Sequence, residues 1–265
     1  MSPFRRSLRL TSIAALAVAP LTAMALPAMA AAPAVAPMVQ APMHLVSGHG
    51  GTAPFFISHG GGIKHTTVTS TNWSGYAANG STYTSVSTTF KQPSVNCSAG
   101  DGYSSFWVGL DGYSSDSVEQ TGTEADCSGG QATYSAWYEM YPAYPVTYNN
   151  TVRPGDTITE TVSEASNSYT LTIKDSTEGW TKTTTKRESG LARSSAEVVA
   201  EAPYDGGVLP LSDFGTVNFT GSTVNGSSLS ASNPTGMDMA TSSGTPEATV
   251  GPLSGGAFSI TWNSL

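Results

Sequence analysis

The chain has 265 residues, with 11 Lys and Arg against 19 Asp and Glu, four histidines, two cysteines and a formal charge of −8. Its acidic balance argues against a nucleic-acid partner. All four histidines, His44, His49, His59 and His65, lie near the N-terminus, so if that segment is removed on maturation, a Ser-His-Asp triad, a Cys-His pair and a histidine-bound zinc site are all unavailable to the rest.

Arg5, Arg6 and Arg9 precede an apolar run from Ile13 to Leu26, and "PAMAAAP" follows with small residues at the cleavage-specifying positions. Residues 1–30 read as a signal peptide cut after Ala30 or Ala32, which places the protein outside the cell; Sec and twin-arginine export both stay open. Two prolines interrupt the run and nothing comparable follows, so no stable membrane association is expected. Residues 31–69 are rich in Ala, Pro and Gly, carry Lys64 and no acid, and read as a basic propeptide or linker.

From about residue 70 the texture becomes Ser/Thr-rich alternation. The runs "YTSVSTTF", "SSFWVGLDG", "ATYSAWYEMY", "DTITETVSE", "SYTLTIK", "GWTKTTTK", "AEVVAEAP", "TVNFTGS" and "FSITW" are short, β-branched or aromatic, and bounded by Gly, Asn, Asp and Pro. No segment holds helical spacing for three turns. An all-β domain over 70–265, an antiparallel sandwich or jelly roll, is the expected fold. Cys97 and Cys127 are the only cysteines and read as one disulfide in an exported protein.

Strand alternation sorts the faces. Phe106, Val108 and Leu110 oppose Trp107, Gly109 and Asp111. Trp137, Glu139 and Tyr141 oppose Ala136, Tyr138 and Met140. Val118, Gln120, Gly122 and Glu124 fall together. In "AEVVAE", Glu197, Val199 and Glu201 oppose Ala196, Val198 and Ala200. The two glutamates of that strand lie about 13 Å apart, too far to share one site. If the four mixed faces join one sheet, they make an acidic groove floored by aromatic rings; the alternative is a set of separate solvated faces. Acids brought together there cannot all ionise, so at least one pKa should rise.

"NWSGYA" at 72, "FWVGLDG" at 106, "EQTG" at 119, "SAWYEMYP" at 135, "AEVVAEAP" at 196 and "LSDFGTVNFTGS" at 211 come in the order and approximate spacing of the glutamic peptidases, the eqolisins, which the chain resembles from about residue 72 onward. The resemblance implies two packed seven-stranded antiparallel sheets and an acid endopeptidase with a Gln/Glu dyad. By motif, the dyad is Gln120 and Glu201. Trp73, Trp107, Asp111 and Glu139 match supporting or cleft positions, and Glu124, Trp137 and Tyr141 join them as groove residues. Glu197 is not expected to be catalytic. The chain departs from the family pattern at Val198 and Met140, where the family usually carries Trp, and at Glu124, where it carries Asp; the first two fall on the core side.

The implied chemistry uses ionised Glu201 to take a proton from water and Gln120 to hold the oxyanion. A carboxylate base works in acid, where histidine is protonated. Protein or peptide substrates are the expected partners, with a monomer, no cofactor and no metal; no calcium-loop spacing appears. Residues 70–265 carry nineteen acids against seven bases, so the basic segment containing "APFFISHGGGIKH" is a candidate inhibitor of the groove. Two other readings compete: a jelly-roll glycoside hydrolase using Glu139 and Glu201, which gives Gln120 no necessary role, and a non-catalytic carbohydrate-binding module.

Overall fold

β-Branched and aromatic side chains fit a pleated, half-buried surface, and the described residues use them in sixteen strands. The computed structural model describes residues 67–265. In chain order the strands are β1 (Thr67–Ser70), β2 (Trp73–Asn79), β3 (Ser85–Lys91), β4 (Ser105–Leu110), β5 (Val118–Ser128), β6 (Gln131–Tyr141), β7 (Val146–Tyr148), β8 (Thr157–Ala165), β9 (Ser168–Asp175), β10 (Trp180–Arg187), β11 (Ser195–Glu201), β12 (Thr216–Val224), β13 (Ser227–Ser228), β14 (Thr235–Ala240), β15 (Pro246–Val250) and β16 (Phe258–Trp262). Among the described residues the only helical elements are two 3₁₀ turns, Cys97–Ala99 and Leu229–Ser232. None is long and apolar enough to cross a membrane.

Hydrogen bonding runs along one path, β10-β9-β8-β3-β12-β16-β15-β14-β2-β11-β4-β5-β6-β7, with β1 and β13 attached at β14 and β12. Every pairing is antiparallel except β1 with β14. The path folds over on itself: β4 lies against β3 and β8, β5 against β8 and β9, and β11 against β3. β14 makes the corner. It pairs with β2 through Thr235–Met237 and with β15 through Met239 and Ala240, with a register irregularity between those last two residues. The antiparallel sandwich is as expected, although its two layers are continuous through this corner.

The interior between the layers takes one face of each strand. Phe90, Ile158, Val162, Leu171, Ile173 and Phe219 come from one layer, and Phe106, Val108, Leu110, Ala196 and Val198 from the other. Each large apolar side chain so buried contributes about 1.5–3 kcal/mol. Phe106 meets Phe214 edge to face at 5.2 Å and Phe90 packs on Phe219 at 5.2 Å. Val198 and Met140 both belong to this apolar face, Met140 at its margin, so the two departures from the family pattern fall on the core side. Cys97 and Cys127 are disulfide-bonded, which ties the segment before β4 to the end of β5 and contributes about 2–4 kcal/mol.

β1 opens at Thr67, so regular structure straddles the expected 69/70 boundary. The expected signal peptide, most of the expected propeptide and all four histidines lie outside the described residues.

Candidate active site

β11 occupies the middle of its layer, between β2 and β4, and all seven of its residues are buried. Its apolar face completes the main core. Its other face belongs to a second cluster in which Val199 packs with Trp73, Ala77, Trp107, Val118, Trp137 and Met237. The mixed faces read from the sequence thus join into one surface, and that surface is buried rather than solvated.

Cross-strand register arranges it in three rows. One runs Ala77, Glu197, Gly109, Gln120, Glu139; the next runs Gly75, Val199, Trp107, Gly122, Trp137; the third runs Trp73, Glu201, Ser105, Glu124, Ser135. A row of indoles is therefore flanked by two rows bearing carboxyls and an amide. Gln120 and Glu201 stand on a diagonal across β4. Glycine keeps that floor open: a Cβ at Gly122 would come within 2.5 Å of the Trp107 Cβ, and one at Gly109 within 2.8 Å of the Trp107 ring.

Glu201 is held by donors. Asn72 Nδ2 donates to Oε1 at 3.0 Å and Trp107 Nε1 donates to Oε2 at 2.9 Å. Trp73, which meets Trp107 edge to face at 4.9 Å, also favours the ionised form. Burial is the larger influence and pushes the Glu201 carboxyl well above the usual range; the Glu139 charge adds to the rise, while Trp73, Trp107 and Asn72 oppose it. The carboxyl rises as expected, but burial rather than crowding of acids is the main cause.

Gln120 sits directly opposite Glu139, and its Nε2 donates to Glu139 Oε2 at 2.6 Å. Both side chains are fully buried. Glu124 accepts from Ser135 Oγ at 3.0 Å. Burial raises its pKa to about 7 against the counteracting Ser135 bond. Two residues on, burial and then the Glu124 charge push Asp126 up as well, while the Ser104 N–H resists. Trp137 is buried in the middle row and Tyr141 packs at the cluster's margin.

Asp111 plays a different part. It follows β4 at φ 69°, a conformation in which the alternation of the strand no longer applies. Its carboxylate accepts from the backbone N–H groups of Arg193 (2.6 Å) and Ser194 (2.8 Å) and from Ser115 Oγ (3.0 Å). It fastens the turn that leads into β11. Glu197 shares the row of Gln120, but burial and the Asp111 and Glu119 charges push its pKa up, and this acid belongs with the Asp111 end of the face rather than with Glu201.

Asp126, Ser135 and Glu119 were not singled out from the sequence, and Asn72 was noted there only within "NWSGYA", not as a site residue. Glu119 faces away from Gln120, and burial followed by the Asp111 charge raises it to about 8. Asn72 precedes Trp73, the residue paired with Glu201, a pairing that the sequence does not show. Among the described residues no group of His, Cys, Asp and Glu is arranged to hold a metal ion. A separate cavity of about 720 Å³ lies on the other layer between residues 89–96 and 213–220, and none of the rows reaches it.

The peptidase A4 family matches residues 71–262. Aspergillopepsin-2 of Aspergillus niger is 33% identical over 198 residues, covering 64% of this chain and 70% of that protein. Scytalidopepsin B of Scytalidium lignicola is 34% identical over 144 residues, covering 52% of this chain and 54% of that protein. Among solved structures, scytalido-glutamic peptidase with a transition state analog inhibitor has a TM-score of 0.64 at 27% identity, covering 73% of this chain and 98% of that one. Aspergilloglutamic peptidase from Aspergillus niger has a TM-score of 0.52 at 31% identity, covering 61% of this chain and 99% of that one. These matches set the glycoside hydrolase and binding-module readings aside.

Proposed function

We propose how this chain, which belongs to the peptidase A4 family of glutamic peptidases and is an endopeptidase acting on proteins or peptides, performs its reaction. Glu201 in its ionised form is the general base. It takes a proton from a water that attacks the scissile carbonyl, and returns that proton to the departing amine. Gln120 Nε2 has two N–H bonds. Glu139 engages one, which fixes the amide plane, and the other meets the developing oxyanion. Trp73, Trp107, Trp137 and Tyr141, with Glu124 at their end, line the face that meets an extended substrate, and this buried face has to open to admit it.

The observation that carries this reading is the treatment of Glu201: a fully buried carboxyl with donors on both oxygens, on the face that also bears Gln120. Buried acids elsewhere extend the reading to acid conditions. Glu119 at about 8 and Glu124 at about 7 are neutral in an acidic medium and ionise against their surroundings as pH rises. We further propose that residues 1–30 export the protein, that residues 31–69 form a basic prosegment inhibiting it near neutral pH, and that the mature domain works extracellularly as a monomer.

The test is cleavage of denatured protein near pH 3, in the presence of pepstatin, by processed wild type, Glu201→Gln and Gln120→Ala. Activity resistant to pepstatin in the wild type and lost in both variants is expected; a variant that keeps wild-type activity removes its residue from the dyad. For the prosegment, intact precursor that cleaves as fast before acid treatment as after it overturns the inhibitory role.

A further inference from the structure

The general base assigned above needs to be ionised in acid while its surroundings oppose ionisation. Among the described residues the charges facing Glu201 are acidic: Glu139 from β6 and, along its own row, Glu124 from β5 with Asp126 beyond it. β2 and β4 present neutral groups, Trp73, Ser105 and Trp107. Among the described residues no Lys or Arg pairs with Glu201; the ion pairs are Arg153 with Glu178 and Arg193 with Glu164. Neutral donors must do what a cation does elsewhere.

One of those donors is itself anchored from outside the site. Ser70, the last residue of β1, donates through Oγ to Asn72 Oδ1 at 3.3 Å, and the same Oγ accepts from the backbone N–H groups of Asn72 (3.2 Å) and Trp73 (3.0 Å). The Asn72 carbonyl in turn accepts from Ala202 N–H at 2.9 Å, immediately after Glu201. Asn72 is fully buried. Its side-chain Oδ1, unlike the backbone carbonyl, accepts from Ser70, so the amide cannot turn over, and the N–H side is committed to Glu201 Oε1.

We infer that Asn72 is the positioning residue of the general base, oriented by Ser70 at the end of β1 and holding Glu201 in its ionised form and in register with Trp107; this rests on Glu201 being the base. Nothing in the reaction requires Asn72 to touch substrate. Its contribution lies in which protonation state of Glu201 the site favours. It also makes β1 part of the working enzyme, because a mature N-terminus trimmed beyond Ser70 would lose the anchor.

The test compares pH profiles of kcat/KM between about pH 2 and 6 for processed wild type, Asn72→Ala, Asn72→Asp, Ser70→Ala and Glu201→Gln, with thermal unfolding at each pH as a control for folding. Without the donor, the acid limb of Asn72→Ala moves up by about one pH unit, a loss of about tenfold at the lowest pH that narrows as pH rises. Asn72→Asp slopes the other way. Protonated, the aspartic acid donates as the amide did; ionised, it repels Glu201, so its deficit grows as pH rises. Ser70→Ala follows Asn72→Ala with a smaller displacement. Equal loss at every pH in both Asn72 variants, with Glu201→Gln inactive, overturns the inference and leaves the base assignment standing. An active Glu201→Gln overturns the base assignment, and the inference with it. If Asn72→Ala does not fold, the Asn72→Asp and Ser70→Ala profiles decide the matter alone.

Discussion

Glu201 in β11 and Glu160 in β8 are both fully buried, one in each layer, and both are pushed well above the usual carboxylate range. Their surroundings differ in kind. Glu201 receives N–H bonds on both oxygens and has Trp73 beside it. Glu160 lies between Ile158 and Val162 on the inward face of its strand; among the described residues neither oxygen has a hydrogen-bond partner, and burial is the whole cause of its rise. Burial alone therefore yields a neutral acid with nothing to do. Burial opposed by donors yields a carboxyl whose ionised form has partners on both oxygens, which is what proton transfer needs.

The broadest way to break this contrast is to change pH for the whole molecule. Carboxyls with raised folded pKa values contribute stability that is fully present below the unfolded value of about 4.3 and is lost as pH rises through the folded value. For Glu124 and Glu119 that window closes near 7 and 8. Thermal unfolding should show stability falling from pH 4 upward, by about 1.4 kcal/mol per pH unit for each group in its window. A melting temperature constant from pH 4 to 8 contradicts the buried-acid account.

Next in size is Glu201→Gln. It keeps shape and burial but cannot accept a proton, and should lower kcat/KM by about a thousandfold or more in the protein-cleavage assay, with the fold intact by circular dichroism. Glu160→Gln should do the opposite: activity unchanged at pH 3, and stability raised at pH 7 more than at pH 3, because the unfolded chain no longer gains from ionising that group. Chemical denaturation at the two pH values reads both parts, and equal gains at both would mean that Glu160 is not held neutral. The smallest effect is expected for Trp107→Phe, which keeps an aromatic ring and removes one N–H donor. A loss of about tenfold, worst at the lowest pH, is the expected outcome in a kcat/KM profile.

Alternation made the strand faces legible in the sequence. Phe106, Val108, Leu110, Ala196 and Val198 face the core where period two places them, and Gln120 with Glu139 and Trp107 with Trp137 share the opposite face. The runs "TGMDMA" and "PEATV" gave no strand signal, because Gly, Asp, Pro and Ala are poor strand formers; β14 and β15 form through their position at the corner between layers. Register was beyond reach as well. The rows depend on which residues pair across strands distant in sequence, as Glu201 pairs with Trp73 and Ser105. Asp111 shows where alternation fails: at φ 69° it leaves the strand's pattern and turns its carboxylate to the chain leading into β11. Asn72 was hidden because its importance comes from a bond spanning 129 positions.

The continuous path of strands has a consequence for a peptidase among its own copies. An endopeptidase takes its substrate as extended chain, and this molecule is made largely of extended chain. Between the two ends of the path, that chain already has its hydrogen bonds taken up by neighbouring strands. Of the two end strands, β7 is three residues long and β10 carries Lys182, Lys186 and Arg187 along an exposed surface. Short length and charge blunt an edge against pairing. The architecture that builds the acidic face thus leaves one copy little backbone to offer another as prey.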